Sequence, residues 1–452
     1  MKRRSFLNVV GNTFPLLYFP SKGIAANDRL QIAAIGVGGK GGSDLQQIAR
    51  HGELVAACDI SDKKLNYALR KFPQAAKFSD YREMISHMGN KIDVLSISTP
   101  DHTHAHAAQL AMSQNIHLFI QTPLAHTVWE IEYLDKMAKQ TKVCTQLGLQ
   151  NWASDEFRMA VEYLQSGALG YIEEIHVWTN RPVWPQSPII SKRPAESQAV
   201  PGGLNWDAFI GPAEMRKFHQ IYQPYNWRGW RSFGSGALGD VGPHLLSLPV
   251  SGCNLSNPHT VTSILSGPVN KETYSAWGIV KFDFDAQNQP GKIPLFWYEG
   301  RIGFLAQKST GQVNIPSLDL FLGHAASPNG CLIRGTKGTL FSPSIHCKNW
   351  QVNLGRKWLN PTELAMPSAK FSRNGRGDAG LKDELVLAIR NGQKDIALAN
   401  FRNTKSLNEI IVLGNISLLA GGKFGWDSEN DISDRKDVNT MITKPYREGW
   451  EI

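Results

Sequence analysis

The chain is predicted to fold as a parallel, doubly wound α/β domain followed by an α+β domain built on a large, mainly antiparallel sheet. Three observations predict this. Strand-length apolar runs alternate with helical stretches up to about residue 150. A glycine-rich turn joins the first strand to the first helix. Beyond about residue 260, strand-like runs succeed one another with no helix between them. A length of 452 residues suits two or three domains, and 42% apolar with 10% aromatic residues is ample for their cores.

The first 28 residues stand apart. Lys2-Arg3-Arg4-Ser5-Phe6-Leu7-Asn8 resembles a twin-arginine export signal, followed by a weakly apolar stretch and small residues at Ala25 and Ala26. Gly11, Asn12, Pro15 and Pro20 interrupt that stretch, so it is too broken to cross a membrane. The expectation is a periplasmic protein with residues 1–28 as export signal; a basic N-terminus on a cytoplasmic protein is the alternative. Export in the folded state would favour a cofactor that is held tightly.

Leu30 to Ile35 reads as the first strand and runs into Gly36-Val37-Gly38-Gly39-Lys40-Gly41, with a helix from about Gly42 to Arg50. In strand, G-x-G-x-x-G, helix, the glycines Gly36, Gly38, Gly39 and Gly41 permit a sharp turn and bring backbone and helix N-terminus to a pyrophosphate. Glu53 to Cys58 is the next strand and ends at Asp59, where a carboxylate accepts both ribose hydroxyls of NAD and repels the 2′-phosphate of NADP. This is the signature of a Rossmann domain, placed at residues 29–150.

The alternation continues through strand Val94 to Ser98, helix His102 to Gln114, strand His117 to Ile120, helix Thr127 to Gln140 and strand Val143 to Leu147. Loops at the C-terminal ends of these strands form the rim where ligands bind such sheets. They supply Thr99, Pro100, His102 and His104, then Gln121 and Pro123 on either side of Thr122, then Gln150 and Asn151, with all but Thr122 as candidate cofactor contacts. His102, His104 and His106 do not share one helix face, so no metal is expected.

From Asn151 the pattern changes to a helix over Phe157 to Ser166, a strand over Tyr171 to Thr179, and a long loop rich in Trp, Pro and Arg. Arg181, Trp184, Trp227, Arg228 and Trp230 are candidate substrate contacts, because aromatic faces and planar donors suit sugar rings; ordinary interface packing is the other reading. Asp240 and His244 stand at i and i+4 on a helix start, a spacing that lets a carboxylate orient an imidazole base; a helix cap and a packed histidine would give the same spacing. Strands follow at Val261 to Leu265, Ser275 to Phe284, Pro294 to Tyr298 and Cys331 to Gly335. Helices near Gly380 to Arg390 and Leu407 to Ala420 close a second domain over residues 151–452, which carries the candidate substrate contacts.

Charge and cysteine usage narrow the partners. A net charge of +9 forms no clustered basic stripe, so nucleic acid is not expected; a basic surface keeps the protein soluble and draws in anionic substrates. Cys58 and Cys144 sit in apolar runs and read as core, while Cys253, Cys331 and Cys347 leave one disulfide possible in an oxidising compartment.

Taken together, Gly36 to Gly41, Thr99-Pro100-Asp101-His102-Thr103-His104, Pro123-Leu124-Ala125-His126-Thr127, Trp227-Arg228-Gly229-Trp230 and Gly236 to His244 resemble the Gfo/Idh/MocA superfamily of glucose-fructose oxidoreductase and inositol 2-dehydrogenase. Trp426-Asp427 and Tyr446 to Trp450 resemble its exported, sugar-associated branch. The resemblance implies NAD as cofactor, hydride transfer at a ring carbinol of a sugar or glycoside, His244 as base with Asp240, and a homo-oligomer with no membrane insertion. One position departs from it. The Glu-Lys-Pro loop that carries a third catalytic residue in that family reads Gln121-Thr122-Pro123 here, so Thr122 stands where the lysine would be.

A lost charged donor costs about 3 to 4 kcal/mol of barrier unless replaced. His102, His126, Arg181 and Arg228 are the candidate replacements. The departure leaves open a redox-neutral NAD-dependent glycosidase or lyase with transient ring oxidation, and a non-catalytic nucleotide- or sugar-binding relative.

Overall fold

The computed structural model describes residues 29–286, 289–301 and 314–452; the proposed export signal lies outside them. The first sheet and its helices run β1 (Leu30–Ile35), α1 (Lys40–Ile48), β2 (Gly52–Cys58), α2 (Asp62–Leu69), β3 (Ala76–Phe78), α3 (Tyr81–Met88), β4 (Val94–Ile97), α4 (His104–Ser113), β5 (His117–Ile120), α5 (Val128–Gln140) and β6 (Thr145–Leu147). The strand order is β3-β2-β1-β4-β5-β6 and every pairing is parallel. The order reverses direction between β1 and β4, and a cleft opens outside the carboxyl ends of strands at such a reversal. β1, β4 and β5 are almost wholly apolar because helices cover both faces of a parallel sheet. Thr127 caps α5 in a reciprocal box with Glu130.

The second half runs α6 (Asp155–Gln165), β7 (Ile172–Thr179), α7 (Trp206–Ile210), α8 (Gly236–Asp240), α9 (Gly242–Gly252), β8 (Thr260–Ser266), β9 (Trp277–Asp285), β10 (Lys292–Gly300), β11 (Asn329–Gly335), β12 (Gly338–Ser342), β13 (Gln351–Asn353), β14 (Trp358–Leu359), α10 (Gly377–Asn391), α11 (Phe401–Ala420), β15 (Gly422–Asp427), β16 (Ile432–Ser433) and α12 (Lys436–Asn439). Ten strands form one sheet in the order β14-β13-β12-β11-β7-β10-β9-β8-β15-β16, antiparallel throughout except where β10 lies parallel to β7. Alternate residues of β9 and β10 are buried, so one face of the sheet packs on helices and the other is partly open.

Two features tie the halves together. Helices α10 and α11, from the end of the chain, pack back on the first sheet: Leu147 N–H donates to Ala399 (2.8 Å), and Leu124 N–H donates to the Asn408 side chain (2.8 Å). The last residues then run across the first domain as a strap. Lys444 pairs with Glu130 (2.8 Å), and the Trp450 ring lies against Tyr81 and His106 under the Arg82 guanidinium.

All five cysteines are free thiols. Cys58 and Cys144 are buried as expected, and no bridge joins Cys253, Cys331 and Cys347. Among the described residues, no helix is long and apolar enough to cross a membrane.

Candidate active site

A cleft of about 890 Å³ runs from the glycine turn to the start of α9. At one end, the glycines are held by space. A Cβ on Gly36 would meet the Ser98 carbonyl oxygen at 2.3 Å, and one on Gly41 would meet the Gly36 carbonyl oxygen at 1.8 Å. Only glycine lets β1, β4 and α1 approach this closely. The Asp59 carboxylate is aimed by two backbone amides, accepting from Val37 N–H (2.9 Å) and Ser61 N–H (2.9 Å). Asp59 does not cap α2, because Ser61 holds the N-cap position.

Beneath the glycine turn lies a buried charge cluster that the motifs did not reveal. Asp44 of α1 is fully buried and accepts from Lys382 (2.7 Å), the Ser98 hydroxyl (3.0 Å) and the Gln121 amide (2.9 Å), and it pairs with Lys40. Asp378 closes the cluster against Lys40 (2.9 Å) and Lys382 (2.6 Å). The Gln121-Thr122 loop is thus pinned to α1 and α10 at once, and Gln121 and Thr122 both line the cleft with Thr99, Pro100 and Gln150.

His244 lines the other end. Its carbonyl accepts from Asn151 Nδ2 (3.1 Å), its Nδ1 is buried without a partner, and its residue is 9% exposed. Burial, then the neighbouring His346 and Lys40, lower its pKa to about 3, so the ring is neutral at pH 7.

Asp240 does not orient it. The backbone leaves helix geometry at Val241 (φ −119°, ψ −17°), so α8 and α9 are separate helices and the i, i+4 spacing does not bring the two side chains together. Asp240 instead accepts from Arg228 Nε (2.9 Å), whose guanidinium lies over the Trp227 and Tyr225 rings at 4.4 and 4.6 Å. Asp101 stands beside this pair, and burial raises its pKa to about 7 against the Ser235 hydrogen bond and the Arg228 charge, which lower it.

Of the expected contacts, Gly36, Gly38, Gly39, Gly41, Asp59, Arg181, Trp227, Arg228, Asp240 and His244 also line the cleft. Six expected contacts sit behind its wall. The His102 ring is locked between the carbonyls of Phe233 (3.1 Å) and Phe209 (3.0 Å), and His104 bridges the carbonyls of Pro123 (2.7 Å) and Thr99 (2.9 Å). Both histidines staple loops together and cannot replace the lysine.

Pro123 and Asn151 are buried supports. Trp184 is spent on Gln186 (2.8 Å), and Trp230 is packed on Tyr222. His126 is bonded to the Gly234 carbonyl (2.8 Å), outside the cleft lining. Lys40, Lys64, Asp101 and His346 line the cleft without having been expected as contacts. Lys40 lay inside the glycine motif and was legible there, whereas His346 belongs to a loop with no motif around it.

Two family models cover the chain in succession. Residues 30–149 match the oxidoreductase family's NAD-binding Rossmann fold, and residues 160–283 match its C-terminal alpha/beta domain. The chain belongs to the Gfo/Idh/MocA oxidoreductase family. Among curated proteins, it is 30% identical over 155 residues to an alpha-N-acetylgalactosaminidase of Shewanella oneidensis, covering 31% of this chain and 33% of that protein. It is 26% identical over 152 residues to an inositol 2-dehydrogenase of Salmonella agona, covering 32% and 45%.

The match thus spans about a third to a half of these relatives. An inositol dehydrogenase homolog from Azotobacter vinelandii, solved with NAD+, superposes with a TM-score of 0.63 at 14% identity over 88% of this chain and 97% of that one. The WlbA dehydrogenase of Bordetella pertussis, solved with NADH and UDP-GlcNAcA, gives 0.60 at 14% identity over 88% and 99%. These likenesses confirm the two-part fold.

Proposed function

We propose that this enzyme uses NAD to move hydride at a ring carbinol of a sugar or glycoside, with His244 as the base for the hydroxyl proton. The observation that carries the reading is a neutral, buried imidazole in the same cleft as the glycine turn and Asp59. The turn fits a dinucleotide, since side chains at Gly36 or Gly41 would fill the approach and the first turn of α1 presents unpaired N–H groups to a pyrophosphate. Bound there, NAD would supply hydride exchange. Asp59 would hold the ribose hydroxyls, and the loops at Thr99, Gln121 and Gln150 would flank the rest.

The protein's own part is positional and protonic. His244, unprotonated at pH 7, takes the hydroxyl proton; the Arg228–Asp240 pair and the Trp227 and Tyr225 rings read hydroxyl edges and apolar ring faces. Thr122 offers an uncharged donor where a lysine is expected. Arg181 and Lys40 are the cations placed to supply the charge, Arg181 having no side-chain partner among the described residues.

A redox-neutral glycosidase or lyase is the second reading, favoured by Thr122 and by partial similarity to an alpha-N-acetylgalactosaminidase. Export to the periplasm with the cofactor held tightly is part of the same proposal.

Purification without nucleotide, denaturation and mass spectrometry of the supernatant test it. Stoichiometric NAD(H) is the expected result, and His244→Gln lowers hydride transfer by about 100-fold or more. A protein free of nucleotide that binds NAD no better than a Gly41→Val variant would end the reading.

A further inference from the structure

The cleft holds a second imidazole. His346, in the loop between β12 and β13, lines the same cleft and meets His244 edge to face, with ring centroids 5.3 Å apart at 70°. The loop is shaped to present it. The Ser344 carbonyl accepts from Cys347 N–H (3.3 Å), and the Ser344 hydroxyl accepts from Lys348 N–H (2.7 Å). Cys347 is buried as the anchor and holds a left-handed φ of 58°, a conformation rare outside glycine and common at functional loops.

Neither ring is spent on structure. His346 is exposed at the mouth and hydrogen-bonds to no described residue, while His244 leaves Nδ1 unpaired. Partial burial and the Lys348 charge lower the His346 pKa, so both rings are neutral at pH 7.

An enzyme that only removes hydride from a carbinol has one proton to collect, that of the hydroxyl. Two neutral imidazoles at this spacing reach two neighbouring ring positions, because each works at hydrogen-bond distance of about 3 Å. We propose that His346 is the base for the C–H proton on the ring carbon next to the carbinol carbon served by His244. The proposal rests on the reading of His244 given above.

With that neighbour oxidised to a ketone, the adjacent C–H is acidic. Its proton moves to a His346 ring nitrogen, the C–H bond breaks, and its electron pair passes into the carbonyl as an enolate. The enolate re-forms the carbonyl by expelling the oxygen substituent one carbon further on. The leaving alkoxide takes the proton back from His346, so this half of the reaction involves no change in redox state. The substrate class is then a glycoside or sugar ether whose leaving oxygen lies β to the oxidised carbon.

The probes are the methyl glucosides carrying a ketone at carbon two, three or four, incubated with the full protein in deuterium oxide without added nucleotide. Deuterium entry beside the ketone is followed by NMR, and oxidation of added NADH by the same ketones is followed in parallel. Wild-type protein is expected to speed exchange at one of these probes, and His346→Gln to lower it about 100-fold, with a drop in NADH oxidation less than a tenth as large. His244→Gln should show the reverse bias.

Unchanged thermal melting of the exposed-site variant excludes simple unfolding. No exchange above buffer in wild type, or equal exchange in His346→Gln, overturns the proposal. So does parallel loss of both signals in each variant. If His244→Gln keeps NADH oxidation while His346→Gln loses exchange, the His244 assignment fails and the His346 assignment stands.

Discussion

At the residue scale, the site depends on which partner each charged group has. Asp240 is bonded to Arg228 and makes no hydrogen bond with His244, so Asp240→Asn should raise KM roughly 10-fold while the pH profile of kcat stays in place. A carboxylate that oriented the base would move that profile, so steady-state kinetics across pH decide the matter. Asp44 presents the opposite case, a fully buried acid whose removal leaves the fully buried Lys382 with Asp378 alone. Asp44→Ala should cost about 3 to 5 kcal/mol of stability, measured by denaturant unfolding.

The place of the glycines, Asp59 and His244 in the cleft was legible in the sequence because their spacing from a strand or helix start puts them there. His102, His104, Trp184 and Trp230 were misplaced because residue type alone does not reveal which side of a loop faces the cleft. His346 was invisible, since the β12–β13 loop reaches the site only through the tertiary fold.

At the scale of elements, the long apolar strands and helices were foreseen, whereas α3, the short strands β3, β12, β13 and β14, and β15 were not. Strong apolar periodicity located β1, β2, β4, β5 and α5 to within a few residues. The break at Val241 went unseen because Gly239, Val241 and Gly242 give no punctuation stronger than the helical pattern around them.

The C-terminal strap is the element in which a pH response is expected. His126 faces Lys444, Glu130 and Arg231, and His106 faces Arg82, Asp80, Glu130 and Glu451. Burial above all lowers both to about 4, below the ordinary value near 6.5 of the unfolded chain. Their contribution is therefore fully present above about pH 6.5 and is lost as pH falls toward 4, at about 1.4 kcal/mol per unit and per group. Hydrogen exchange at residues 442–450 should accelerate over that window ahead of β1 and β4. Equal acceleration everywhere would assign the loss to global unfolding instead.

At the scale of the whole molecule, the two-part reading holds for the sheets but not for their covering layers. The boundary near residue 150 separates the strands, yet α10, α11 and the strap return to complete the first domain. Sequence alone could not show this, because a helix announces an apolar face without naming what it will cover. A fragment spanning residues 29–150 should accordingly lack a cooperative thermal transition, whereas the full chain shows one; circular dichroism melts compare them directly.

Synthesis adds a timing constraint. The strands of the first sheet leave the ribosome well before Lys382 and Trp450, so Asp44 and Tyr81 wait for the residues that brace them. The cleft's supporting wall is finished only once α10 and the strap have been made.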